Sequence, residues 1–382
     1  HDSIYHFRIV QQFNENFFYT LTNFGKHELD LGTRNSPVFW VFMSIFNKFI
    51  SFDSIRVLNS LIIFLTAIIF YKCLLLKYKN FNHLNLIILA SMIFLSPSLR
   101  SLAIWPYSLS WGLLLFILSI YYYLKSKNKF DLKNSFLILA NVIFAAYVYP
   151  SFSVFFIFYF FKIINKTRNT ILTIKILFLS FMLSLPCIIY LASTDFLKNF
   201  EDAQGVGTSL SQSLNISNKI LIIGTMILYF LIPIINLKEI LIKLKSINKL
   251  HLLLIFIFCL TNIYFFNFPH SVWGGGFFHK ASNIIFGNNY LFFMLSILSI
   301  LIIYSIIEKN FNNYLLLIIL ILFNPQLTIY LKYFDPLIFI LFLTLFDFDL
   351  KKHFFEKSYA IYQFCFVIFF YYIVVYLKII FF

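Results

Sequence analysis

Apolar runs, most of them about 17–23 residues long, recur along the chain with polar residues between them, at about 54–76, 82–103, 107–124, 135–149, 150–164, 171–192, 219–237, 250–267, 288–307, 313–331, 335–347 and 359–380. A helix rising 1.5 Å per residue crosses a hydrocarbon layer of roughly 30 Å in about 20 residues, so the spacing predicts membrane-spanning helices. No alternation of period two points to a barrel, and the backbone in lipid is satisfied only in helices or closed barrels. The expected fold is therefore an all-α polytopic bundle of about 12 spans.

The first 53 residues follow another pattern. Ile4, Phe7, Val10, Phe13 and Phe17 recur at steps of three and four while Asp2, His6, Gln12 and Glu15 occupy other faces, the signature of a helix lying along the membrane surface. After the turn-forming stretch GKHELDLGTRNSP, Pro37 opens a second apolar helix, VFWVFMSIFNKFI, too short to span before Asp53 and Arg56.

Composition closes off the soluble classes. Hydrophobic residues make up 61% of the 382 positions, 54 of them Phe, and only 12% are charged; no water-soluble core of this size accommodates that. The net charge of +15 comes largely from loops holding Lys77, Lys79, Lys125, Lys127, Lys129, Lys133, Lys162, Lys166, Arg168, Lys238, Lys243, Lys245, Lys249, Lys351, Lys352 and Lys357. These alternate with cation-poor loops, which places the basic loops inside. The charge is thus a record of topology, and nucleic-acid binding is not expected, since no soluble basic domain is present to hold it. Residues 1–53 then face outward, which implies a first in-to-out span upstream of this chain, with Asp2 just after it. Cys73, Cys187, Cys259 and Cys365 fall within or at the ends of apolar runs without a CxxC pair and read as small core residues. Without an internal repeat or linker, residues 1–382 form a single membrane domain: the outward stretch 1–53, then the bundle 54–382.

Three stretches carry a resemblance: HDSIYHFRIVQQF, RNSPVFWVFMSIFNKF and FDSIRVLNSLIIFLTAIIFYKCLLLKYK. They are similar to the first outward loop and following span of the GT-C glycosyltransferases, multispan enzymes that move a sugar from a polyprenyl-phosphate carrier to an acceptor. The first two look most like the dolichyl-phosphate-glucose glucosyltransferase branch. SPSLRSLAIWPYSLSW resembles the second outward loop of such enzymes and, more loosely, NPQLTIYLKYFDPLIFI resembles their late Tyr/Phe-Pro segment. The likeness covers most of the chain in topology and about 60 residues in motif. Where the family carries an acidic pair, Asp2 is followed by Ser3.

The resemblance implies an acid at the head of the first interfacial helix as general base, here Asp2, taking the proton of an acceptor hydroxyl as it attacks the anomeric carbon. Direct displacement inverts that centre. The leaving phosphate gains charge, so cations beside it stabilise the transition state more than the ground state; Arg100 and Lys332 are the candidates, with His279 and Lys280 behind them. Glu28, Asp30 and His6 are candidates for holding acceptor hydroxyls, as are Trp273, His270 and Tyr333 for stacking on or bonding to sugar. Each has a plainer reading. Asp2 is a good N-cap, Arg100 and Lys332 snorkel to headgroups at span ends, Asp335 neutralises Lys332, and Glu28 and Asp30 decorate a turn.

The stretch FPHSVWGGGFFHKASNIIFGNNY is the second place where polar and aromatic groups crowd. Gly274, Gly275 and Gly276 permit unusual backbone angles and close ligand approach, yet the GK[ST] ending of a nucleotide P-loop is absent and a flexible turn is the plainer reading. The loop STDFLKNFEDAQGVGTSLSQSLNISNK is a linker or a lid. Neither HExxH nor a close carboxylate pair appears, so no metal is implied, and the donor is a lipid-phosphate sugar without further cofactor.

The expected partners are the bilayer, a polyprenyl-phosphate-linked sugar and a glycan acceptor. The expected location is a bacterial inner membrane with a periplasm-facing site, or the endoplasmic reticulum if the chain is eukaryotic. The competing classes are a transporter or flippase of lipid-linked sugars, which needs charged residues or broken helices at mid-depth, and an O-antigen ligase or polymerase-like protein, which depends on a large arginine-bearing outward loop.

Overall fold

A computed structural model describes residues 2–26, 29, 31, 36–127, 130–167, 169–194, 215–232, 237–268, 274–324, 329–347 and 358–381. These are folded as an all-helical protein. The helices are α1 (Asp2–Glu15), α2 (Phe17–Thr22), α3 (Pro37–Asn47), α4 (Phe52–Lys77), α5 (His83–Ser91), α6 (Pro97–Ile104), α7 (Ser108–Lys125), α8 (Leu132–Val148), α9 (Phe155–Thr167) and α10 (Thr170–Ser193). There follow α11 (Ile216–Leu231), α12 (Leu237–Lys245), α13 (Lys249–Tyr264), α14 (Gly276–Phe286), α15 (Tyr290–Ile306), α16 (Phe311–Leu322), α17 (Leu331–Thr344) and α18 (Ser358–Phe381).

Side chains at the loop ends fix where many of these helices begin. Ser36, Ser51, Asn82, Asp131, Asn169, Asn215, Asn248 and Asn310 each accept a bond from a backbone N–H two or three residues on, satisfying one of the donors a helix start leaves orphaned. Pro37 sits at the first position of α3, where its fixed φ suits the helix and its missing N–H costs nothing.

Among the described residues three helices, α4 with 26 residues, α7 with 18 and α10 with 24, are long and apolar enough to cross a membrane, or four if α5 and α6 are halves of one broken span. Several other apolar helices among the described residues are shorter, α8, α11, α13, α15 and α16 having 12–17 residues. The run predicted at 82–103 is not one helix. It breaks into α5, a 3-10 turn over Met92–Leu95, an extended Ser96 and then α6, because Pro97 has no N–H to continue the ladder and disfavours a helical residue before it. The break expected near 149/150 is present, at Tyr149 and Pro150. The first 53 residues contain a short extra helix, α2, split from α1 at Asn16. Phe17 therefore leaves the predicted stripe and is exposed, while Ile9, Val10 and Phe13 form the buried face.

The chain divides into two compact units, His1–Tyr78 with Leu99–Leu210, and Lys79–Ser98 with Ser211–Phe382. In the first, α7 packs between α4 and α8, α10 lies on α8, and α1 lies on α3. The interface of α1 and α3 is a continuous apolar cluster in which Ile9, Val10 and Phe13 meet Phe39, Trp40 and Met43, extended by Phe24, Ile55 and Val148. In the second, α11 is the hub, touching α13, α14, α15, α16 and α17. Its Gly224 allows the close approach of α15, since a Cβ there would stand 3.1 Å from the Ser299 hydroxyl.

Candidate functional site

Asp2 is the first residue of α1, and His6 stands one turn later on the same helix. The burial of Ile9, Val10 and Phe13 against α3 fixes the helix that carries both. Glu28, Asp30, His270 and Trp273 lie outside the described residues.

Arg100 is exposed, on α6. What holds the C-terminal end of that helix is a polar clamp from α4. Asn59 is fully buried, and its Nδ2 faces the carbonyl oxygens of Leu102, Ala103 and Trp105 at 2.6, 3.1 and 3.2 Å. Its Oδ1 accepts from the Trp111 indole at 3.1 Å and lies 2.9 Å from the Ser110 hydroxyl, which can donate to it. One turn earlier Arg56 donates from Nε to the Ile104 carbonyl at 3.2 Å, stacks at 4.4 Å over the Trp105 ring and pairs with Asp53 at 3.1 Å. The last carbonyls of a helix lack partners within it; here two side chains of α4 supply them.

The second unit brings Lys332, Tyr333, His279 and Lys280 onto two helix starts joined by backbone. Gly275 N–H donates to the Ile329 carbonyl at 3.0 Å, tying the turn before α14 to the residues that lead into α17. Gly274 has φ +116°, and a Cβ on it would fall 2.6 Å from the Ile329 oxygen, so this approach requires glycine on both counts. Gly275 and Gly276 also have positive φ.

Lys332, in the first turn of α17, lies with Nζ 5.0 Å from the Tyr330 ring centroid and 5.4 Å from that of Tyr333, a cation–π arrangement. It does not pair with Asp335. That carboxylate is buried and accepts the Ser96 hydroxyl at 2.5 Å and a bond from Ser98, at the point where α6 begins. His279 is buried, with ring centroids of Phe266, Phe268 and Phe292 5.2–5.7 Å away, and its Nε2 lies 3.3 Å from the Asn283 amide nitrogen. Lys280, next on α14, is half-buried.

Two charged groups have a burial that run-length reading of hydropathy does not reveal. Asp335 is one. The other is Lys219 in the second turn of α11, only 3% exposed. Both sit at the margin of an apolar run, where a charge normally reads as a solvated span end. Among the described residues no three His, Cys, Asp or Glu gather as a metal site would require.

The chain was compared with family models, curated proteins and solved structures, and nothing matches it.

Proposed function

We propose that the protein is an inverting glycosyltransferase of the GT-C type, with about 12 spans in this chain. On this reading it moves a sugar from a polyprenyl-phosphate carrier to a lipid-linked or cell-envelope glycan on the outward face of a bacterial inner membrane. The observation that carries the reading is the amphipathic helix that starts at Asp2 and buries Ile9, Val10 and Phe13 against a Pro37-initiated helix, since a base for this chemistry must stand at the bilayer surface. Asp2 takes the acceptor hydroxyl's proton, the oxygen forms the new bond to the anomeric carbon, and the carbon–oxygen bond to phosphate breaks with its electron pair leaving on the phosphate. Arg100, in the same unit as Asp2, offsets that charge. Asp2→Asn in proteoliposomes supplied with a polyprenyl-phosphate sugar should lower transfer by at least about a hundredfold, the range of a lost general base. Undiminished turnover rejects the assignment.

A second reading, a carrier of lipid-linked sugars, is favoured by one observation: the buried carboxylate of Asp335 at the helix break before Pro97. Intramembrane acids and discontinuous helices mark substrate and ion pathways. Asp335→Asn separates the two. Vesicle flipping by the wild type that the variant loses selects the carrier; intact flipping in the variant removes its support.

A further inference from the structure

Between α13 and α15 lies an open crevice of about 440 Å³ that the proposed sugar transfer does not use. Leu252, Leu253 and Phe256 line one side, Ile297 and Leu301 the other, and Lys249 brings a charge to its end. A cavity of that size, apolar except for one polar group, has the make-up of a small-molecule site. From residue 249 to residue 256 it follows α13 for roughly 10 Å, the rise of two helical turns. Along the same helix Leu250, Leu254 and Ile257 are exposed, a surface suited to hydrocarbon, so the crevice opens where acyl chains lie.

Cations gather at one end of it. On α15 Tyr304 follows Leu301 by three residues, on the same stripe. Its ring centroid lies 4.6 Å from Lys309 Nζ and 6.4 Å from the centroid of the His251 ring. Lys249 and Lys309 are both exposed, and among the described residues neither ammonium makes a hydrogen bond or an ion pair. The neighbouring acid Glu308 faces the Asn310 amide, 3.4 Å away. Over residues 238–251 the sequence carries Lys238, Lys243, Lys245 and Lys249 against Glu239 alone. The lysine pattern assigns this end to the inner side, where anionic lipids are held by basic pockets between spans.

We propose that the crevice between α13 and α15 binds an anionic phospholipid, with an acyl chain against Leu253, Phe256 and Ile297 and the headgroup phosphate at Lys249, flanked by His251 and Lys309. Charge selects this occupant. A second copy of the chain packed here by two-fold symmetry would set the same lysines against each other, and a zwitterionic lipid brings its own cation to them. The inference does not depend on Asp2 or on glycosyl transfer.

The test is thermal melting of the purified full chain in detergent, titrated with phosphatidylglycerol, with phosphatidylcholine of the same acyl chains, and with glycerol phosphate as the chain-free control. The melting temperature should rise with phosphatidylglycerol and with neither control. Lys249→Gln should weaken the apparent affinity about fivefold, the worth of one lysine beside an anionic lipid surface. Ile297→Trp, which fills the crevice and leaves the charge alone, should abolish the response; the exposed Lys249 position keeps the test open if the Trp variant does not fold. Lys133→Gln, on α8 in the other unit, should bind as the wild type does. An equal rise with phosphatidylcholine or glycerol phosphate, no rise with phosphatidylglycerol, unchanged affinity in Lys249→Gln, or an equal loss in Lys133→Gln overturns the proposal. So does a dimer in size-exclusion chromatography that Ile297→Trp converts to monomer, since the occupant is then a second copy.

Discussion

Single side chains inside this apolar chain are placed by their hydrogen bonds, and Asn59 shows it most clearly. One amide serves three carbonyls and an indole N–H between α4, α6 and α7. Asn59→Asp turns the donor into a carboxylate facing those carbonyls, and the uncompensated buried charge should cost about 3–5 kcal/mol. Loss of the folded species in size-exclusion chromatography, or a much lower melting temperature, is the expected readout; a wild-type melt removes the clamp. The sequence hinted at this residue, since an amide within SLIIFLTAIIF-type surroundings demands partners, but which carbonyls it meets depends on where α6 ends. Lys219 was illegible for a related reason. Position at the edge of an apolar run is the same for an exposed lysine and for one covered by packed helices, and only the fold, which leaves Lys219 3% exposed, separates them.

At the scale of the element, hydropathy measures run length, while helices end where their backbone chemistry ends them. The run at 82–103 is apolar almost throughout, yet Ser96 and Pro97 split it; the Pro37 start, by contrast, was readable because Ser-Pro is both cap and first-turn residue. In α10 the opposite occurs, and a proline is carried through. Pro186 lies within the helix, and Tyr147 of α8 splices the damaged ladder, donating from its hydroxyl to the Leu183 carbonyl at 2.7 Å and accepting the Cys187 N–H at 3.2 Å. The same Tyr147 lines a groove of about 510 Å³ with Pro150, Ser184 and Tyr190. Tyr147→Phe keeps the ring and deletes the splice, so it should destabilise the fold by about 1–3 kcal/mol. Because the mechanism requires the proline, Pro186→Ala should restore most of the loss in the double variant; additive melting shifts would show that hydroxyl and proline act separately.

For the molecule as a whole, the exterior and the charge distribution make the boldest claim. On α10 the side chains of Ile171, Ile174, Phe178, Phe181 and Ile189 are exposed, a surface that water does not tolerate and a bilayer does. The composition made the membrane character legible, because no soluble core absorbs 54 Phe. The sidedness follows from the lysine pattern, and the proposed outward-facing chemistry depends on it. Thr22 on α2 and Lys127 after α7 are both exposed, and the lysine pattern places them on opposite sides. A membrane-impermeant maleimide should label Thr22→Cys in intact cells and Lys127→Cys only after permeabilisation. The native thiols interfere little, Cys73 and Cys259 being buried and Cys187 and Cys365 half-buried. The reverse pattern would put Asp2 at the inner surface, among the basic loops that positive-inside asymmetry keeps in the cytoplasm, and a transferase drawing on outward-facing lipid-linked sugars could not work from there.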